Sequence, residues 1–457
     1  PLFIENTATY TDNGKFIKTT TDTLFNTTEY DVNTNNGLIN SIKDANDKTT
    51  NYTYNNKEQI TKVEKEGKEV NYTYNNQNQL SKIRCSNKDY NFTYDNFLNT
   101  KSIKIGENIT LITNDYEERN GKLIKSTYGN NDVLEFSYDD FERIKKITKE
   151  TENYNFKYDN FNNVAKIEVR SYLDYLLHTY LYEYDLAQRL INYTYDNFKL
   201  NYTYNDDDNI TKKIYTLDNI TKTKEFTYNN EQELTQSIID DTTINYNYDS
   251  LGRLTSKLIN NTYETKYGYV TNGNRTSLIL DSISNGDNKY SYKYDSLYNI
   301  THIYYNDELI NEYYYDKFNQ LIKEDDYRQN KTFKYVYDSE GNILRKNTYE
   351  FKTSNLLNTI NYEYNSNWQD QLTKYDNTSI TYDGIGNPLT IGTANLTWVN
   401  GRVLQKYEDN TNNLVINYEY NKDNIRTSKT INNVKTNYYL ENKNIIFEQT
   451  GTNMIYY

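Results

Sequence analysis

A short aromatic motif recurs along almost the whole chain. An aromatic residue, any residue, Tyr and then Asp or Asn stand at positions 52–55, 72–75 and 92–95, a spacing of twenty residues. The second tyrosine of the motif is Tyr54, Tyr74, Tyr94, Tyr138, Tyr158, Tyr184, Tyr204, Tyr228, Tyr248, Tyr294 and Tyr337. A repeat of this length is one supersecondary unit that buries its apolar surface only against its neighbours. The chain is therefore predicted to be a repeat protein.

Each copy of the repeat reads as a strand, a turn and a second strand. The aromatic pair alternates with period two, and a second alternating run, such as residues 60–63, follows a polar stretch. The turn begins with Asp or Asn, which can bond its own backbone, and then reaches Gly or Asn, which tolerate positive φ. The clearest turn residues are Asp249, Gly252, Arg253, Asp338 and Gly341. We expect these residues and the repeat tyrosines to be structural positions.

Composition narrows the possible functions. Of the 457 residues 53 are Tyr, and the formal net charge is −13. The rings must pack somewhere, and we expect them to be buried and to stack along neighbouring strands. An acidic chain is a poor binder of nucleic acid, which attracts clustered Lys and Arg. The single cysteine, Cys85, excludes an internal disulfide, and no apolar run is long enough to span a membrane.

The repeat predicts an elongated all-β architecture. Two strands per unit give roughly 35 to 40 antiparallel strands, spaced about 4.8 Å apart. A twisted ribbon of this extent either stacks as a solenoid or curls on itself. A hollow wall is one of the possible results.

The repeat resembles the YD repeat of RHS and teneurin-type proteins over nearly the whole chain. The C-terminal stretch adds more specific motifs that look like the segment before the RHS-associated core of bacterial members. Those motifs contain Trp368, Tyr382, Asp383, Gly386 and Trp398. We therefore divide the YD/RHS region 1–457 into degenerate repeats at 1–50, regular repeats at 51–365 and the RHS-type C-terminal segment at 366–457.

The resemblance implies a long antiparallel β-ribbon of YD-type hairpins that spirals into a hollow, cocoon-like shell. In the family, which includes the BC shell of Tc-type complexes, such a shell encloses a C-terminal toxin. The implied partner is therefore an effector domain of the same protein, and the implied location is outside a bacterium or on its surface. The opening residues show no signal peptide and no initial Met, so we expect a piece of a longer protein, with the family's core beyond Tyr457.

No constellation of catalytic residues is predicted. His178 and His302 lie in different repeats without a second imidazole or thiol nearby, so neither a metal centre nor a nucleophile with its base is expected. The acidic run at 205–209 is interpreted as a solvated turn. Three acid pairs are interpreted as turn chemistry, at or near turn positions and without a preferred partner: Asp139-Asp140, Asp240-Asp241 and Asp325-Asp326. We expect no cofactor, no metal and no enzymatic activity in this segment.

Binding to a cell-surface glycan is the alternative function. Exposed aromatic faces stack on sugars, and repeats of about twenty aromatic-rich residues also occur in surface-binding modules. Those modules pair Gly-Trp with Tyr-Tyr-Phe, whereas this chain has 2 Trp and places Asp or Asn directly after its second aromatic residue. The repeat therefore favours a structural shell over an adhesion or carbohydrate-binding module.

Overall fold

A computed structural model describes residues 2–86 and 88–457. Those residues form 43 β-strands and no helix, so the predicted all-β class is confirmed. The described part of the chain accordingly contains no helix that could cross a lipid bilayer.

The strands follow one another at short intervals. They are β1 Thr7–Tyr10, β2 Ile17–Thr21, β3 Thr27–Val32, β4 Ile39–Lys43, β5 Thr49–Tyr54, β6 Ile60–Lys65, β7 Lys68–Tyr74, β8 Leu80–Cys85, β9 Lys88–Tyr94, β10 Thr100–Ile105, β11 Ile109–Tyr116, β12 Leu123–Tyr128, β13 Val133–Tyr138, β14 Ile144–Thr148, β15 Glu152–Tyr158, β16 Val164–Ser171, β17 Leu176–Tyr184, β18 Leu190–Tyr195, β19 Phe198–Tyr204, β20 Ile210–Leu217, β21 Ile220–Tyr228 and β22 Leu234–Ile239. They continue as β23 Thr242–Tyr248, β24 Leu254–Ile259, β25 Tyr263–Asn272, β26 Arg275–Asn285, β27 Asn288–Tyr294, β28 Ile300–Tyr305, β29 Glu308–Tyr315, β30 Leu321–Asp326, β31 Lys331–Tyr337, β32 Ile343–Glu350, β33 Leu356–Tyr364, β34 Leu372–Tyr375, β35 Thr378–Tyr382, β36 Pro388–Ile391, β37 Ala394–Val399, β38 Val403–Asp409, β39 Leu414–Tyr420, β40 Arg426–Ile431, β41 Val434–Glu441, β42 Asn444–Thr450 and β43 Asn453–Tyr456.

The strands group into two compact units. Unit 1 comprises Pro1–Lys88 and Lys224–Tyr362, and unit 2 comprises Asp89–Thr223 and Glu363–Tyr457. Each unit therefore contains two stretches of ribbon that are far apart in sequence. The division into residues 1–50, 51–365 and 366–457 remains a prediction.

Within each stretch, every strand pairs antiparallel with the strand that follows it in the chain, as β5 does with β6 and β13 with β14. In such a meander, alternate turns lie at opposite edges of the ribbon. We call the edge with the turns that follow the aromatic strands, such as 95–99, 139–143 and 249–253, the YD edge. The opposite edge has the intervening turns, such as 44–48 and 128–132.

The two faces of the ribbon differ in chemistry because successive side chains of a strand point to opposite faces. In β5, Tyr52 and Tyr54 are half-buried on one face, and Thr53 is exposed on the other. Cross-strand partners match, because Tyr52 lies opposite Val63 and Thr53 lies opposite Lys62. One face is therefore aromatic and aliphatic, and the other is polar.

The most deeply buried cluster lies in unit 2, where β19 and β20 meet β41 and β42. Phe198 and Phe447 are fully buried, with their ring centroids 6.0 Å apart in an edge-on arrangement. Tyr215 and Tyr439 are buried in the same cluster. Fully buried tyrosines thus belong to this cluster and its neighbours, whereas the repeat tyrosines such as Tyr248 are half-buried.

Candidate functional site

A YD turn recurs in each repeat of this chain, and the turn at Asp249 shows how it is built. Asp249 Oδ1 accepts the backbone N–H of Leu251 at 2.9 Å and that of Arg253 at 3.1 Å. Its Oδ2 accepts Arg253 Nε at 2.8 Å and Nη2 at 2.6 Å. Burial alone would raise the pKa of Asp249, but these hydrogen bonds hold it below its ordinary value. The carboxylate therefore closes the turn and orients the arginine.

The same arrangement recurs with different partners. Asp139 holds Arg143, Asp338 holds Asn342 and Asp383 holds Asn387, always four residues on. Gly252, Gly341 and Gly386 have positive φ, as predicted. Equivalent positions in other turns are occupied by Leu98, Glu142 and Gln188, which have φ between 62° and 68°. The Asp or Asn side chain at the first position of the turn bonds the backbone further along the turn. Residues other than glycine are therefore tolerated at the fourth position, where φ is positive.

The second tyrosine of each repeat connects that repeat to the one before it. The Tyr248 hydroxyl donates to the carbonyl oxygen of Leu234 at 2.9 Å, and Leu234 is the first residue of β22, directly after the preceding YD turn. The same bond joins Tyr54 to Ile39, Tyr74 to Ile60, Tyr138 to Leu123, Tyr158 to Ile144, Tyr184 to Val164, Tyr204 to Leu190, Tyr294 to Leu280, Tyr337 to Leu321 and Tyr382 to Leu372. Tyr94 and Tyr228 are half-buried at the same position.

A β-bulge precedes each of these tyrosines. In β5 and β6, Thr53 lies opposite Lys62 and Tyr54 lies opposite Ile60, which leaves Thr61 as an extra residue. The Thr61 hydroxyl donates to the carbonyl oxygen of Thr53 at 3.2 Å. A bulge re-aims the side chain beside it, and here that side chain is the tyrosine. The sequence prediction missed the bulge. An Ile-Thr, Leu-Ser or Leu-Thr pair follows several of the turns, as at 60–61, 80–81 and 254–255, but other bulged repeats have different residues there.

Arginines of the turns lie over the tyrosines of the next repeat. The Arg143 guanidinium is 4.1 Å from the centroid of the Tyr158 ring, and Arg189 is 4.7 Å from that of Tyr204. Such cation–π contacts stabilise both groups. Ring stacking along the strands was expected of the repeat tyrosines. The contacts at this position are the hydroxyl bond and, in the arginine-bearing turns, the guanidinium. The ring of Tyr204 also lies 6.3 Å from that of Tyr202 in the same strand.

The C-terminal motif residues come together in unit 2. Trp368 lies against Gly386, where a Cβ would be 2.6 Å from its ring. Trp398 Nε1 donates to the carbonyl oxygen of Pro388 at 2.6 Å. Asp383 starts the turn that contains Gly386, directly after Tyr382 at the end of β35. Trp368 therefore packs on this turn and Trp398 bonds the residue that follows it, contacts that the spacing alone did not reveal.

In unit 2, this turn interlocks with the opposite edge of the earlier stretch of ribbon. Ile385, the third residue of the turn, is fully buried over Gly129, where a Cβ would approach its Cγ2 to 2.9 Å. Asn130 Nδ2 donates to Asp383 Oδ2 at 3.2 Å. The next turn adds the Gly401 N–H, which donates to Asp132 Oδ2 at 2.7 Å.

Unit 1 contains an equivalent interlock. The Tyr298 hydroxyl donates to Asp22, and Ser296 donates to the carbonyl oxygen of Ala45 at 3.2 Å. One repeat further on, Lys317 Nζ donates to the carbonyl oxygen of Glu66 at 3.3 Å. In both units, a YD turn thus meets opposite-edge turns that lie about 250 residues earlier in the chain.

Glu441, whose side chain is 11% exposed, joins three strands of unit 2. Its carboxylate accepts Lys213 Nζ at 2.6 Å, the Tyr215 hydroxyl at 2.7 Å and the Tyr202 hydroxyl at 2.9 Å. Burial alone would raise the pKa of Glu441, but the bonds from Lys213 and Tyr215 outweigh it, and the pKa lies below its ordinary value. The carboxylate therefore ties β41 to β19 and β20. No sequence signal marked this residue, because Glu441-Asn442-Lys443 resembles other hairpin turns of the chain.

The acidic run at 205–209 and the pair Asp325-Asp326 have different surroundings in the structure. Asn205 Oδ1 accepts the backbone N–H groups of Asp207 and Asn209, so the acidic run is a turn, as predicted. The expectation that Asp325 has no preferred partner is wrong. Asp325 lies in β30, is 0% exposed and accepts Lys323 Nζ at 2.8 Å and the Thr332 hydroxyl at 2.6 Å. Burying a carboxyl group is costly unless it has hydrogen-bond partners of this kind.

A cleft of about 280 Å³ in unit 2 gathers several titratable side chains. It is lined by Lys149, Tyr154, His178, Glu419 and Lys435, among others. These polar groups already have partners: Lys149 meets Asn424 at 3.3 Å, His178 meets Asp196 at 2.7 Å, and Glu419 meets Lys435 at 2.7 Å. Burial lowers the pKa of Lys149. This arrangement is suited to holding two stretches of ribbon together.

Comparison with known proteins supports the same fold. No family model matches the chain. The tRNA nuclease WapA of Bacillus subtilis is 31% identical over 147 residues, which are 31% of this chain and 6% of WapA. The crystal structure of TcdB2-TccC3 without its hypervariable C-terminal region matches 98% of the chain with a TM-score of 0.61 at 12% identity. The Tc holotoxin pore of Photorhabdus luminescens matches 98% with a TM-score of 0.63 at 13% identity.

These matches confirm the predicted resemblance to RHS/YD-repeat proteins and the predicted β-ribbon fold. This chain spans 6% of WapA and 27 to 29% of the two solved structures.

The first prediction concerns the tyrosine bond. We expect Tyr248→Phe to destabilise unit 1 by about 1 kcal/mol, because it removes one hydrogen bond and keeps the ring. Thermal unfolding monitored by circular dichroism would measure the change. Tyr263→Phe is the control, because Tyr263 is 72% exposed. Equal melting temperatures for the wild type and Tyr248→Phe would contradict the role of the bond.

The second prediction compares two turns. Arg253 is 7% exposed, whereas the Arg143 side chain is 25% exposed. Asp249→Ala leaves a buried guanidinium without its carboxylate and should cost roughly 2 to 3 kcal/mol. Asp139→Ala should destabilise the fold clearly less than Asp249→Ala, because water can replace the lost partner. Urea unfolding of both variants tests the order, and equal losses would contradict it.

The third prediction concerns pH. Because the folded pKa of Glu441 is lowered, its ionised form stabilises the fold above the ordinary value of 4.5, and this contribution disappears as the pH falls through the folded pKa. Glu441→Gln should therefore lower the melting temperature most at neutral pH, and the difference from wild type should narrow below pH 4.5. Glu231→Gln, at an exposed turn position, is the control. A difference that is constant with pH would contradict the assignment.

Proposed function

We propose that this chain is a wall segment of a shell in an RHS-like bacterial toxin, and that the shell encloses a C-terminal effector of the same protein. The observation that carries the proposal is the interlock of YD turns with an earlier stretch of ribbon in each unit. A ribbon that binds to itself in this way forms a continuous wall without a ligand. The likeness to TcdB2-TccC3 supports the same role.

The wall is held together in two directions. Along the ribbon, ladder hydrogen bonds and the tyrosine bonds connect each repeat to the previous one. Across the ribbon, the contacts of Ile385 with Gly129 and of Lys317 with Glu66 connect separate stretches. Rigidity in both directions is what a container requires, because each repeat alone has too little core to be stable.

The proposal gives the repeat residues structural roles and assigns no catalytic step to this segment. Activity, as the name of WapA records for that protein, would reside in the enclosed effector. A secreted or cell-surface location follows from the same proposal, since a toxin container acts outside the cell that makes it.

Small-angle X-ray scattering on the chain tests the proposal. A solid globule of 457 residues would have a radius of gyration of about 22 Å. We expect a clearly larger value, with a pair-distance distribution shifted towards long distances, as in a hollow body. A solid-globule curve or a rod-like profile would count against a shell wall. Tyr248→Phe should keep the wild-type curve and serves as a folded reference.

Glycan binding is the second candidate function, and one surface favours it. The hairpin turn between β16 and β17 exposes Tyr172 by 73% and Tyr175 by 69%, with Leu173 beside them at 59%. Exposed rings of this kind can stack on sugars. A glycan array should show saturable binding that is lost in Tyr172→Ala/Tyr175→Ala and kept in Tyr263→Ala. An array without signal would remove this candidate.

A further inference from the structure

One hairpin of unit 2 has an apolar tip. The turn between β16 and β17 and the strand residues beside it expose six large side chains: Tyr172 by 73%, Tyr175 by 69%, Leu173 by 59%, Leu176 by 55%, Leu177 by 46% and Leu181 by 40%. Other turns of the same edge, such as 44–48 and 285–288, consist mainly of Asp, Asn, Gly and Lys. We call residues 171–177 the apolar tip.

The exposed area is large for a single hairpin. At about 200 Å² for a fully exposed ring, and less for a leucine, the six side chains leave roughly 500 Å² of surface in water. That amount lies in the upper part of the range for the largest apolar patch on a monomer, which is often a binding surface.

The apolar tip projects past the hairpin that follows it. The ladder between β17 and β18 ends at the pair Tyr180 and Tyr195, whereas β17 begins at Leu176. The residues between these points span about 13 Å of strand. At the base of the projecting part, Asp196 accepts the Thr179 N–H at 2.9 Å and is 2.7 Å from His178 Nδ1. The tip is therefore both held in place and clear of this neighbour.

The backbone of the apolar tip is hydrogen-bonded within the protein. The Ser171 N–H donates to the carbonyl oxygen of Tyr175, and the Asp174 N–H to that of Ser171, both at 2.9 Å. The Tyr172 N–H donates to the carbonyl oxygen of Thr151 at 3.2 Å, and the Tyr175 N–H to the Ser171 hydroxyl at 3.1 Å. A segment bonded in this way can leave water without taking unpaired donors into an apolar phase.

The charges at the tip are paired. Arg170 Nη1 is 3.7 Å from the Asp174 carboxylate and donates to the Asp174 carbonyl oxygen at 3.1 Å. Arg170 Nη2 is 3.0 Å from Glu168. These residues carry one more negative than positive charge, and the whole chain has a net charge of −13. An anionic surface would therefore repel the protein, whereas an uncharged one would not.

We propose that the apolar tip inserts into the surface of a lipid bilayer whose headgroups carry no net charge. Leu173 and Leu176 enter the acyl boundary, and the rings of Tyr172 and Tyr175 lie at the headgroup level, where tyrosine is enriched in membrane proteins. A bilayer accepts a projecting tip without a pocket of matching shape. This inference goes beyond the proposed function, because the binding depends on one hairpin and not on what a wall encloses.

The leucines distinguish this ligand from a glycan. A sugar can stack on Tyr172 and Tyr175, but Leu173, Leu176 and Leu177 have neither a ring face nor a hydrogen-bonding group to offer it. Burying an aliphatic side chain in an acyl layer is favourable for each of them. The lipid therefore uses the whole patch, and the glycan only part of it.

Flotation of the full chain with phosphatidylcholine vesicles that contain no carbohydrate tests the proposal. We expect saturable binding, and we expect Leu173→Ser/Leu176→Ser to weaken it by about tenfold or more. Both side chains are exposed, so the variant should keep the wild-type melting temperature. Leu356→Ser/Leu357→Ser is the matched control, because these leucines are 55% and 53% exposed beside a turn that contains Lys352. The control should bind vesicles like wild type.

A dye at the tip adds a readout of position. In Cys85→Ser/Leu173→Cys, an environment-sensitive fluorophore on the new thiol should shift to the blue with vesicles and be quenched by spin-labelled lipid. The same dye on Cys85→Ser/Leu356→Cys should show neither change.

Three results would overturn the proposal: no flotation with phosphatidylcholine at any lipid concentration, equal flotation of the Leu173/Leu176 variant, or binding that requires phosphatidylserine. A signal on a glycan array without flotation would also overturn it, in favour of the sugar as the ligand of the two tyrosines.

Discussion

The hydrogen bond from the second tyrosine of each repeat to the preceding repeat is the interaction on which the rest of the ribbon depends. A single sheet has no second layer to bury its apolar face, so each ring is only half-covered by its neighbours. The hydroxyl bond fixes the ring where burial alone would leave it mobile. Tyr248 on Leu234 and Tyr54 on Ile39 show the same geometry far apart in the chain.

The bulge and the turn make that bond possible. The bulge at Thr61 re-aims Tyr54, and the Asx turn that follows holds the chain for the next strand. The arginine of some turns then covers the tyrosine of the following repeat. Each repeat thus supplies the carbonyl, and in places the cation, that its successor needs. This mutual dependence is why a repeat of about twenty residues is stable only in an array.

Contacts between stretches use different chemistry from contacts along the ribbon. Strand-to-strand pairing uses backbone hydrogen bonds and is therefore insensitive to sequence. The interlocks use particular side chains, such as Ile385 over Gly129 and Glu441 with Lys213, and buried polar groups of this kind are costly unless every partner is in place. They therefore specify which turn meets which. Pairing along the ribbon therefore depends little on side-chain identity, whereas the contacts between separate stretches depend on particular residues.

The sequence alone determined the repeat, the strand-turn-strand unit, the antiparallel all-β class and the role of Asp249 and Gly252, because these depend on local periodicity and turn chemistry. It also pointed to the resemblance that the fold comparison confirms. Only the tertiary structure decided that the Tyr248 hydroxyl binds the carbonyl oxygen of Leu234, that Asp325 is buried with Lys323 and Thr332 as partners, and that Glu441 joins two stretches. These outcomes depend on residues that are distant in sequence or on a one-residue shift in register, and neither leaves a local pattern.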